Sequence, residues 1–192
     1  MKRLLISFML AVALVIVPVA GALADTDTVI VTATPSYLGI SNSPGTWTLN
    51  GIIPGDDTIN IATTYYSNPL GDTTAPSATV LDTECYFTIT NTSSVPTYVV
   101  IDIDDFTGGS DPMTNSDDGS NGAGIFGAYS WYSGMTYPTS KVVAKTTGSD
   151  NLTSSLAALT DLKWGMEVLT QTDAWTGGTS STATITITVT AA

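Results

Sequence analysis

The chain has 192 residues, with 17 acidic and five basic side chains, no histidine and a formal net charge of −12. That balance excludes a phosphate-binding surface for nucleic acid or anionic lipid, which needs Lys and Arg. The absence of histidine excludes His-activated nucleophiles and His-ligated zinc, and Cys85, the single cysteine, can form no internal disulfide.

The chain opens with a basic n-region, Met1-Lys2-Arg3, followed by an apolar run from Leu4 to Val17. Ala22-Leu23-Ala24 is an A-x-A site, so residues 1–24 read as a cleaved signal peptide with the mature start at Asp25. The apolar run is short for a membrane span, and no later stretch offers one, so the mature chain is expected to carry no span. Cleavage leaves Lys141, Lys145 and Lys163 against all 17 acids, a net charge of −14, which suits an exported protein in an extracellular or cell-surface setting. Residues 25–192 then form one domain, large enough to bury about 70% of its unfolded surface without disulfide staples.

Asp25–Thr34 is the first strand candidate, with Val29, Val31 and Ala33 on one face. Trp47 and Leu49 alternate with Thr46 and Thr48 before the turn signals Asn50-Gly51 and Pro54-Gly55. Thr58–Tyr66 carries Ile59 and Ile61 in phase. Next, Cys85, Phe87 and Ile89 alternate with Glu84, Tyr86, Thr88 and Thr90, and Thr97–Asp104 runs extended through Val99, Ile101 and Ile103. Two such runs around the polar loop 91–96 predict an antiparallel hairpin. Gly108–Gly124 is a Gly/Asp/Asn/Ser loop, read either as mobile or as ligand-binding.

Ile125–Tyr132 is a strand, linked through Ser133-Gly134-Met135 to Tyr137–Lys145. Asn151–Asp161 places Leu152, Leu156 and Leu159 at near-helical spacing and admits a short helix. Leu162–Thr170 sets Leu162, Trp164, Met166 and Val168 on one strand face, Trp175–Gly178 turns the chain, and Ser181–Ala191 gives the cleanest alternation. With 34 threonines suited to the solvent face of sheets, the chain reads as all-β. About 8–10 strands are expected, in a single antiparallel β-sandwich, immunoglobulin-like or jelly-roll.

The turn Thr90–Ser94, Asp105–Gly109, Lys163–Met166 and the Thr/Ile-alternating end together resemble secreted prokaryotic surface proteins with an immunoglobulin-like β-sandwich. The resemblance covers roughly residues 84–192 and carries no catalytic residues with it.

The acidic set Asp102, Asp104, Asp105, Asp111, Asp117 and Asp118, with Asn115 and Asn121, is the candidate Ca²⁺ site, because calcium takes oxygen ligands from such side chains. The competing reading is a solvated loop whose Asp and Asn serve turn geometry. Asp117–Ala128 departs from the EF-hand pattern, with Gly119 third and Ala128 twelfth. Paired carboxylates also admit a glycosidase, though no cleft to hold a sugar can be read beside them. Tyr65, Tyr66, Tyr129, Trp131, Tyr132 and Tyr137 read either as a glycan-stacking platform or as ordinary packing. Cys85 reads as a buried, inert thiol.

Two functions are weighed. The first is a non-enzymatic structural subunit of an extracellular filament, layer or coat, whose partner is itself. Val29–Thr34 and Thr182–Thr190 lack the blocking charges that edge strands usually carry, and Asp25–Thr34 is the better strand to donate, with Val29, Val31 and Ala33 as its assembly face. The second is a module binding surface glycans or another ligand, using the 108–124 loop and the 125–137 aromatics.

Overall fold

The computed structural model describes residues 38–49, 63–173 and 180–192. The leader, the Asp25–Thr34 strand with Val29, Val31 and Ala33, the turns at 50–55, the strand portion through Ile59 and Ile61, and the Trp175–Gly178 turn lie outside the described residues. Within residues 35–192, which form a compact unit of their own, the fold is all-β. The strands are β1 (Ile40–Ser43), β2 (Thr64–Tyr66), β3 (Phe87–Asn91), β4 (Thr97–Ile103), β5 (Thr114–Asn115), β6 (Ile125–Tyr132), β7 (Val142–Val143), β8 (Asn151–Leu156), β9 (Asp161–Leu169) and β10 (Ile185–Ala191). A 3₁₀ turn at Asp82–Glu84 precedes β3. No helix among the described residues is long and apolar enough to cross a membrane.

The strands form two sheets. The larger runs β1-β3-β9-β6-β5, with β2 also on β9 and β7 also on β6; the smaller runs β10-β4-β8. All pairings are antiparallel except the short β5–β6 pair. β9 is the centre of the larger sheet. It holds β6 along one side, while β3 and β2 share the other, at Asp161–Trp164 and Glu167–Leu169 respectively.

The alternations explain why these segments are strands and which face each buries. Phe87 and Ile89 of β3, Phe126 and Ala128 of β6, and Trp164, Met166 and Val168 of β9 point to one side. Val99, Ile101 and Ile103 of β4, with Leu152 and Leu156 of β8, come from the other sheet and join them in one apolar cluster. A second cluster, Val80, Cys85, Trp131 and Met135, lies elsewhere, with Tyr66, Tyr132 and Tyr137 packed against it. Trp131 fits because residue 165 is glycine: a Cβ there would lie 2.4 Å from the indole Cζ2.

Two expectations are corrected. β3 and β4 do not pair as a hairpin; they belong to different sheets, and residues 92–96 carry the chain across. Alternation assigns a strand its faces and leaves its neighbour open. The crossing is held by Asn91, fully buried, whose Nδ2 donates to the carbonyls of Val95 (3.1 Å), Leu156 (3.1 Å) and Ala157 (3.0 Å) while its Oδ1 accepts from Ser93 N (2.9 Å). The helix admitted over 151–161 is strand β8. A spacing of four residues keeps Leu152 and Leu156 on one face in either period, and Leu159, which would complete a helical stripe, is 75% exposed with φ +56°.

The 108–124 loop is tied to the body rather than free of apolar anchors. Met113 is buried, bridging Phe106, and Asn115 Nδ2 donates to Ile103 O (3.1 Å) and Ala144 O (2.9 Å). Further along, the loop lies directly on β6: a Cβ at Gly127 would meet the Gly119 carbonyl oxygen at 2.1 Å.

Candidate functional site

Three regions bear on function: the acidic residues, the aromatic group and the open side of the smaller sheet.

The acids are placed around the end of β4, yet their carboxylates turn to different loops. Asp102 accepts from Ser149 N (2.9 Å) and Oγ (2.6 Å), Asp105 from Asn115 N (2.8 Å), and Asp117 from Thr146 N (2.6 Å). Asp118 accepts from Ser120 N (2.8 Å) and Oγ (2.5 Å), and the Ser120 hydroxyl and amide hold its carboxyl below the usual range. Asp104 is exposed, and Asp111 offers its main-chain carbonyl to Ser181 Oγ (2.9 Å). Asn121 Nδ2 donates to Thr170 O (2.7 Å). Among the described residues, no group of three or more acidic or thiol side chains converges so as to hold a metal ion. The bonds made here are those of Asx turns and loop ties.

The aromatic group is packed. Tyr65 and Trp131 are fully buried, and Tyr66, Trp131 and Tyr137 meet edge-on with centroids 6.1–6.4 Å apart. Tyr129 lies under Lys141 Nζ at 3.8 Å from its ring centroid. Lys141 in turn reaches Glu167 Oε1 (2.8 Å), and Tyr137 donates its hydroxyl to Glu167 Oε2 (2.6 Å). Burial, with the Glu167 carboxylate beside it, pushes the Tyr137 hydroxyl far up. This ion pair, buried at Glu167 and half-buried at Lys141, escaped the sequence reading, in which Glu167 fell outside the face set by Leu162, Trp164, Met166 and Val168. Cys85 is buried as expected, and desolvation together with Asp82 pushes its thiol up to about 12.

The open side lies along β10. Its register on β4 pairs Ile185 with Ile103 through to Ala191 with Thr97. Asp104 N donates to Thr184 O and Ala192 N to Pro96 O, each at 3.0 Å. The antiparallel ladder therefore directs the main-chain groups of Thr186, Thr188 and Thr190 toward β4 and those of Ile185, Ile187 and Val189 away from it. No described strand pairs with that outward edge. The other sheet edges are blunted. β1 has four residues, β5 and β7 two each, and β8 carries register shifts at Thr97/Val99 and Val99/Val100. Among the described edge strands, β10 alone is long, regular and free of charge and proline, the combination that edge strands normally avoid.

Behind this edge the packing is incomplete. Val99, Ile101 and Ile103 on β4 are at most 2% exposed, whereas Ile185, Ile187 and Val189 on β10 are only half-buried. A cavity of about 740 Å³ runs between the sheets here, lined by Trp47, Phe87, Trp164, Val168, Ile185 and Ile187 among others. The Trp47 indole N–H, like that of Trp131 in the second cluster, is enclosed without a hydrogen-bond partner among the described residues. The sequence flagged the uncharged Thr182–Thr190 run; it gave no sign of the cavity, which depends on residues far apart in the chain.

The chain matches no protein-family model, no curated protein and no solved structure.

Proposed function

We propose that the protein is a non-enzymatic extracellular structural subunit, a β-sandwich of immunoglobulin-like or jelly-roll type that assembles with copies of itself by β-strand exchange. The observation that carries this reading is the seven-residue β10 edge, uncharged, regular and unpaired among the described residues. Such an edge is a template for a further strand, and proteins that do not use one block it. A single apolar cluster drawn from both sheets supports the sandwich. The leader-like residues 1–24 and the acidic, lysine-poor composition support export.

The assembly strand of this reading is Asp25–Thr34. Electron microscopy and sedimentation of a chain beginning at Asp25 should show filaments or layers. A chain beginning at Pro35, which keeps the compact unit 35–192, should remain monomeric. Equal assembly by both chains would refute strand donation from this segment.

A further inference from the structure

We propose that Asn151 is an N-glycosylation site, its side-chain amide accepting an oligosaccharide from a polyprenyl-phosphate-linked donor during export. The proposal rests on the export part of the reading above and adds a covalent modification to it.

Two triplets in the chain fit the acceptor pattern Asn-x-Ser/Thr with x other than proline: Asn91-Thr92-Ser93 and Asn151-Leu152-Thr153. The fold separates them. Asn91 is 0% exposed, and its Nδ2 hydrogens are shared among the carbonyls of Val95, Leu156 and Ala157 at the crossing between the sheets. A glycosidic bond at Nδ2 removes one of its two hydrogens and puts a sugar ring where close-packed atoms already stand. A chain modified there cannot close the crossing.

Asn151 has the opposite setting. It opens β8, an edge of the smaller sheet among the described residues, and it is exposed, as are Thr147, Gly148 and Asp150 just before it. Asn151 pairs with Val100 and Thr153 with Val99, so β8 advances two residues while β4 advances one. Such a bulge re-aims side chains: Leu152 enters the core at 3% exposure while Asn151 turns to solvent. The turn ahead of it is fixed without the Asn151 amide. Ser149 N and Oγ donate to Asp102 Oδ1 (2.9 and 2.6 Å), and Lys145 N donates to Ser149 Oγ (2.8 Å).

In the transfer, Nδ2 forms a bond to C1 of the first sugar while the bond from C1 to the donor's phosphate oxygen breaks. The polyprenyl phosphate leaves with that electron pair, and the amide proton passes to a base of the transferase. Thr153, whose hydroxyl completes the triplet, is only 9% exposed and pairs with Val99, so the triplet is read before β8 docks on β4. Folding then leaves the sugar in solvent, and the folded chain carries it at Asn151 alone.

Tandem mass spectrometry of folded protein recovered from its own cells tests this. Trypsin, cutting after Lys145 and Lys163, releases 146–163 with Asn151; chymotrypsin, cutting after Phe87 and Tyr98, releases 88–98 with Asn91. The expected result is an oligosaccharide on Asn151 and a bare 88–98 peptide. Asn151→Gln should lose the added mass, as should Thr153→Val, which fills the same space without the hydroxyl. Thr153→Ser should keep it, and all three variants should retain a cooperative melting transition. A bare Asn151 in chains that have lost residues 1–24 would overturn the site and leave export standing. Chains that retain residues 1–24 would remove the export reading and the proposal with it. Sugar on Asn91 of the folded protein, or on Thr153 in place of Asn151, would overturn the assignment.

Discussion

The two flanks of this fold are finished differently. Around β6 and β9 the packing is dense: Trp131 is 0% exposed against Gly165, Trp164 stacks on Phe87 at 4.5 Å, and the buried carboxylate of Glu167 has both a lysine and a tyrosine. Along β10 the same alternation of side chains leaves Ile185, Ile187 and Val189 half-buried over a cavity, beside an edge unpaired among the described residues. One flank is closely packed among the described residues. The other is the flank that the proposed strand addition would complete, so the proposal turns this contrast into one between a core and a docking surface.

The largest effect should come from opening the closed flank. Trp131→Ala removes a fully buried indole, and the expected loss is about 3–5 kcal/mol, read from urea unfolding of the monomer. Lys141→Met leaves Glu167 buried without its cation, with an expected loss of about 3 kcal/mol. A near-neutral result there would mean that water reaches the carboxylate and the flank is less closed than described.

Alkali should attack the same flank. Burial, with Asp82 near Cys85 and Glu167 against Tyr137, makes the fold hold the protons of both groups more tightly than the unfolded chain does. The unfolded chain releases them first, near 9 for the thiol and 10 for the phenol. Stability is therefore full below about pH 9 and falls as pH climbs toward 12. Urea midpoints measured from pH 8 upward should show that decline, and Cys85→Ala should delay its onset. A level profile would contradict the burial assigned to both groups.

The smallest effect on stability should come from the open flank. Ile187→Ala removes a half-buried side chain and should cost about 1 kcal/mol in the monomer, yet it should weaken assembly by far more than that loss of stability. If assembly and monomer stability fell in step, the two flanks would not differ in kind.

Much of this contrast was legible in the sequence, unevenly. The runs 125–132, 162–170 and 181–191 located β6, β9 and β10, and in the second the alternation also named the inward residues, because a strand's two faces are written in its own sequence. The partner of a strand is not written there. The run from Cys85 to Ile89 and the run from Thr97 to Ile103 read as a hairpin, but the chain crosses between sheets at Asn91, whose amide gathers carbonyls from β8's end and the turn. Leu152 and Leu156 fit a helix and a strand equally well until Leu159 breaks the tie. The acids from Asp102 to Asp118 are close in sequence, yet their hydrogen bonds disperse them among the 115, 120, 146 and 149 regions. The open edge was visible as an absence of charge; the cavity behind it needed β3, β9, β10 and the Trp47 stretch to be brought together.

The most direct test is amide hydrogen exchange on β10, comparing dispersed and assembled protein residue by residue. The amides of Thr186, Thr188 and Thr190, bonded to β4, should be protected in both states. Those of Ile185, Ile187 and Val189 should exchange freely in the dispersed chain and become protected on assembly. Free exchange at these three positions in the assembled protein would contradict strand addition at this edge.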